Sequence, residues 1–94
     1  MRRRGPPAEA DAAKATRWAA CGEQLAILDA VAQQGLIALV KIDGLRPQEL
    51  RYTVVVSGEL LGGESFRSDG GDPGTLLREA LDFCRQRLPS SGEP

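Results

Sequence analysis

The 94-residue chain contains no histidine. That removes the commonest general base, the commonest metal ligand and the partner of any Ser-His or Cys-His nucleophile. Aromatic side chains are scarce, at 4% of residues, so a surface that stacks unpaired bases lacks its usual contacts. No apolar run approaches the ~20 residues that cross a bilayer. Charge of either sign is not in excess: 12 Lys+Arg face 13 Asp+Glu. The sequence pI of about 5.4 argues against a dedicated nucleic-acid binder, which is usually basic. Cysteines number two, Cys21 and Cys84, far apart and outside any C-x-x-C motif.

What is present is ordinary for a soluble globular domain: 41% apolar and 27% charged residues. The first residues, Met1-Arg2-Arg3-Arg4-Gly5-Pro6-Pro7, have the charge of a signal-peptide start. Glu9, Asp11, Lys14 and Arg17 then interrupt any apolar segment that could follow. The expected compartment is therefore the cytoplasm, where Cys21 and Cys84 are expected as buried thiols. Only Lys14 and Lys41 are lysines among the cations, and alanine and glycine are abundant. That composition suits a GC-rich bacterial genome.

Breaker-rich ends set the domain limits. Residues 1–11 are expected to be a disordered tail, because Arg2 to Arg4 repel one another and Pro6-Pro7 favour extended backbone. Residues 89–94, Pro-Ser-Ser-Gly-Glu-Pro, form a second tail. A single domain is expected over 12–88.

Hydrophobic spacing gives the elements. Trp18, Cys21, Leu25, Leu28 and Ala32 recur at helical intervals, with Ile27 and Val31 beside them. Asp11 is a candidate N-cap and Gly35 a candidate C-terminal stop. Gly22 lies inside this helix, where glycine costs ~1 kcal/mol against alanine, so the helix is expected to kink or begin there. Leu36 to Ile42 reads as a strand closed by Asp43-Gly44. Leu45 to Glu49 reads as a loop, Leu50 to Ser57 as the second strand and Glu64 to Ser68 as a short third. The last helix has Asp72 at the N-cap and Pro73 at N1. Its stripe is Leu77, Leu81, Cys84 and Leu88, and Pro89 stops it.

The order α-β-β-β-α with short connections predicts an α+β fold. The expected architecture is a two-layer sandwich, a three-stranded antiparallel sheet with both helices packed on one face. Alternation then separates the sheet faces. Ala38, Val40 and Ile42, with Tyr52, Val54, Val56 and Phe66, are assigned to the core. The opposite face carries Ile37, Leu39, Lys41, Arg51, Thr53, Val55, Ser57, Ser65 and Arg67. A solvated sheet face is mostly polar, whereas this one mixes three aliphatics with three cations. Ile37, Leu39, Lys41, Arg51, Thr53, Val55 and Arg67 are therefore the candidate partner-binding residues.

Other chemistry is poorly supported. The glycine-rich segment Ser68 to Thr75 precedes a helix, as phosphate loops do. It lacks a lysine, and Asp69 and Asp72 would repel an anion. It also lacks the spacing of a calcium loop. No carboxylate pair stands out among Asp43, Glu49, Glu59, Glu64, Asp69 and Asp72. The thiols have no histidine to activate them, although two helices on one face could bring the sulfurs together. Trp18 is expected in the core, with an interface anchor as the alternative.

The α-β-β-β-α order resembles the double-stranded-RNA-binding domain over roughly residues 14–88, with Leu50 to Gly58 most like that family's second strand. The resemblance implies RNA contacts from the first helix, a loop between strands and a lysine-rich start of the last helix. Here that start reads Asp72-Pro73-Gly74-Thr75-Leu76-Leu77, with no basic residue before Arg78. Topology is therefore the extent of the expectation.

The expected function is non-catalytic, without cofactor or metal. The protein is expected to bind another protein or a second copy of itself, as a homodimer, through the open sheet face. The alternative is a nucleic-acid-binding accessory protein using Arg2 to Arg4 with Lys41, Arg51 and Arg67.

Overall fold

The computed structural model describes residues 18, 19 and 21–88. Asp11, Lys14, Arg2 to Arg4 and both expected tails lie outside the described residues.

The helix α1 spans Gly22–Ala32. Trp18 and Ala19 are also helical, and the Cys21 amide donates to the Trp18 carbonyl at 2.8 Å. That tight turn places Gly22 at the start of the regular helix. Cys21 at the N-cap position makes no side-chain capping bond, which leaves this end poorly defined by its own sequence. At the other end Gly35 adopts φ +124°, while its amide and that of Leu36 both donate to Ala32. A side chain resists that conformation, so glycine ends the helix and turns the chain.

Three strands follow: β1 (Ile37–Ile42), β2 (Tyr52–Ser57) and β3 (Phe66–Gly70). They form an antiparallel meander in that order. Leu39 pairs with Val55 and Val55 with Arg67; Lys41 pairs with Thr53 and Thr53 with Asp69. A short 3-10 turn at Gln48–Leu50 precedes β2, so the strand begins two residues later than the sequence predicts. The third strand is displaced in the same direction, from the expected 64–68 to 66–70, and absorbs Asp69 and Gly70.

The last helix, α2, spans Pro73–Arg87 and is bounded as its sequence predicts. The Asp72 carboxylate accepts from the Thr75 amide at 3.3 Å and the Thr75 hydroxyl at 2.7 Å. Proline at the first position has no amide to leave unsatisfied, and Arg85 and Arg87 stand where the helix dipole favours cations.

Both helices cover the same sheet face, giving the expected two-layer α+β sandwich. Val54, Val56, Leu77 and Ala80 are completely buried, with Leu28, Leu61, Leu76, Leu81 and Tyr52 around them. Trp18 packs its ring edge-to-face on Tyr52, centroids 5.6 Å apart. Phe66 and Phe83 meet at 5.5 Å, and the Arg87 guanidinium sits 4.0 Å over Phe83.

Three core assignments fail. Ile42 is 61% exposed although it shares the helix-side face with Ala38 and Val40. Leu25 and Ile27 of the predicted α1 stripe are exposed as well. Ile27 lies in the groove between α1 and α2, and the exposure of Ile42 follows from the placement of the helices. The longer α2 packs over β2 and β3, whereas α1 touches β1 lightly, so the β1 side of the sandwich is thinly covered.

Candidate functional site

The sheet face away from the helices divides into two halves. One is aliphatic: Ile37 and Leu39 are 65% and 53% exposed, and half-buried Val55 continues their row across β2. The other half is polar and closed. Thr53, expected to be available to a partner, is only 2% exposed. Its hydroxyl donates to Asp69 Oδ1 at 2.5 Å. Arg46, from the loop between β1 and β2, reaches the same carboxylate oxygen at 3.0 Å and Thr53 Oγ1 at 3.4 Å. A threonine flanked by lysine and aspartate in the paired strands would be solvated without this loop.

The loop is held elsewhere too. Gln48 Nε2 donates to the Gly71 carbonyl at 3.1 Å. A Cβ at Gly71 would lie 2.8 Å from the Gln48 carbonyl oxygen, so only glycine allows this approach. Arg51 lies before β2 in helical backbone conformation, not on a strand as predicted. Its guanidinium donates to Gln48 Oε1 at 2.8 Å and to the Arg46 carbonyl at 3.1 Å.

The expected cationic patch is therefore not a field of unbalanced charge. Lys41 faces Asp43 at 3.7 Å, and Arg67 faces Asp69 at 3.4 Å. Hydrogen bonds from Thr53, Arg46 and Arg67 hold the Asp69 carboxyl well below the usual carboxylate range. Of the seven candidates, the face brings Ile37, Leu39 and Val55 together as an apolar group. It places exposed Lys41 and Arg67 at its borders, buries Thr53 and leaves Arg51 bound into the loop.

Arg46 and Asp69 are the residues that sequence reasoning missed. Asp69 was legible in principle: two residues beyond Arg67, it shares that face if the strand continues. The following Gly70-Gly71 reads as a turn and hides that continuation. Nothing in the sequence singles out Arg46, because its partners lie across the sheet.

The two thiols do not meet. Cys21 Sγ lies 3.7 Å from where a Cβ on Gly74 would stand. Cys84 is ten residues further along α2, ~15 Å at the helical rise, beyond disulfide reach. Both are buried and neither is in a disulfide. Burial pushes both thiols up, with the Asp72 carboxylate adding to the shift at Cys21 and Arg78 opposing it.

A groove of about 250 Å³ runs between α1 and α2, lined by residues that include Ile27, Leu81, Arg78 and Asp82. Its charges are of both signs, and Asp82 already pairs with Arg85 at 2.8 Å. Among the described residues no group of three or more Cys, Asp or Glu could hold a metal ion. None of their helices is long and apolar enough to cross a membrane.

Comparison with known proteins finds no matching family model, no similar curated protein and no similar solved structure. The likeness to the double-stranded-RNA-binding domain lies in the order of elements. The Asp72 cap and acid-paired cations do not reproduce that family's basic surface.

Proposed function

We propose that the protein is a non-catalytic binding module that acts by protein–protein contact through the aliphatic half of its open sheet face. One observation carries this reading. Ile37 and Leu39 stay largely exposed on a face whose other half is sealed by its own loop. Scattered surface aliphatics need no explanation, but here two lie in one strand and Val55 extends the row. Lys41 and Arg67 at the border supply the polar rim common to such patches. No described group offers an activated nucleophile, and the thiols are masked by burial.

The test is a comparison of wild type with Leu39→Asp and Val55→Asp in proximity capture from the expressing cell. Folding is checked by circular dichroism. The expected result is that the folded variants lose proteins, including further copies of the chain, that the wild type captures. An unchanged set of captured proteins from well-folded variants would sink this reading.

A further inference from the structure

The two edges of the sheet differ in a way that selects one for pairing. The Asp43 amide donates to the Arg51 carbonyl at 2.9 Å. These residues continue the β1–β2 register, in which Ile42 faces Tyr52. Antiparallel ladders alternate, so Ile37, Leu39 and Lys41 also direct their backbone groups at β2. Ala38, Val40 and Ile42 then direct theirs outward, along an edge that no other described strand pairs. The same alternation on β3 turns the backbone of Arg67 and Asp69 outward. That edge carries two charged side chains, as natural edge strands usually do. The β1 edge has one charge, Lys41, no proline, and exposed Ile37, Leu39 and Ile42.

We infer that β1 pairs antiparallel with β1 of a second copy, with Leu39 opposite the second copy's Leu39 on a two-fold axis. The two three-stranded sheets become one of six strands. The inference rests on the binding reading above and names its partner. Side-chain chemistry selects the register. With Leu39 on the axis, Ala38 exchanges backbone hydrogen bonds with the second copy's Val40, and Ile37 lies against the aliphatic stem of Lys41. Moving the axis to Val40 sets Ile37 against Asp43. Moving it to Lys41 sets two ammonium groups opposite each other. Of these three only the first has neither conflict, and an axis at Ala38 would leave only residues 37–39 of β1 paired. A six-residue strand pair buries less than the ~1,200–2,000 Å² of a stable interface, so the dimer is expected to be weak and concentration-dependent.

Cysteine cross-linking of the full chain tests it, alongside sedimentation velocity from micromolar to millimolar protein. Non-hydrogen-bonded partners across an antiparallel pair sit ~4.5 Å apart at Cα, within the disulfide range. Under mild oxidation Leu39→Cys is expected to form a disulfide dimer at least about tenfold faster than Lys41→Cys or Arg67→Cys. The native thiols are buried and stay out of the reaction. Wild type is expected to shift from monomer to dimer with concentration. A strict monomer throughout, or equal or faster cross-linking at Lys41→Cys or Arg67→Cys, overturns the inference. If Leu39→Asp loses captured proteins while Leu39→Cys does not cross-link, binding of a different protein stands and only the pairing of copies falls.

Discussion

Arg46 and Asp69 are twenty-three residues apart and meet at 3.0 Å above Thr53. The contact ties the β1–β2 loop to the far edge of the sheet. It converts half of an open face into a closed one, and so defines the aliphatic half that remains.

Arg46→Ala is expected to release this loop without unfolding the sandwich. Amide hydrogen exchange of residues 43–51 should accelerate, while Val54 and Leu77 keep wild-type protection. Unchanged exchange in the loop would show that Gln48 and Gly71 hold it alone.

Asp69 gives a pH signature of definite sign. Its pKa is depressed in the folded protein, so the folded state binds its proton less readily than the unfolded chain does. The stabilisation is present above the unfolded value of ~3.9 and is lost as pH falls below it. Asp69→Asn is expected to lower the urea midpoint at pH 7. The gap from wild type should narrow as pH falls from about 4 toward the lower folded value. A constant gap across that window would contradict the assignment.

The two thiols are expected to be inert in the native protein at neutral pH and fully reactive in denaturant. Labelling with a disulfide reagent reads this directly. Because both folded values are raised, they contribute stability below the unfolded thiol value of ~8.5 and lose it as pH rises beyond.

Leu77→Ala removes a completely buried side chain under β2 and is expected to cost about 2–5 kcal/mol. Leu45→Ala, at a residue 98% exposed, is expected to stay within about 0.5 kcal/mol of wild type. Chemical denaturation of both variants compares them.

Gly58→Ala tests the chain reversal after β2. Gly58 has φ +151° and ψ +161°, a region that side chains avoid at a cost of about 1–3 kcal/mol. An added Cβ would also lie 2.7 Å from Leu36 Cδ2. A clear loss of thermal stability is expected, with the β1–β2 pairing as its site.

Strand positions were legible where local signals agreed and shifted where they did not. The α2 limits follow from Asp72, Pro73 and Pro89, because capping acts within a few residues. The starts of β2 and β3 moved by two residues each. At Gln48–Leu50 a 3-10 turn replaced extended backbone, and at Asp69 the pairing with Thr53 drew a turn-like residue into the sheet. Pairing energy comes from the neighbouring strand, so the residue's own preference does not reveal it.

The sequence by itself determined the element order, the sandwich and the two faces of the sheet. Period-2 and period-3.6 spacings are local, and two amphipathic helices need one sheet face to bury their stripes. Tertiary structure decided how much of the other face stays open. Arg46, Thr53 and Asp69 close part of it through contacts between residues distant in the chain, which no local pattern encodes. It also decided that Cys21 and Cys84 stay apart, because that depends on where α1 meets α2, and that β1 is an edge among the described strands, because that depends on the strand order. The missing histidine excluded Ser-His and Cys-His pairs from the outset, and the fold buries both thiols.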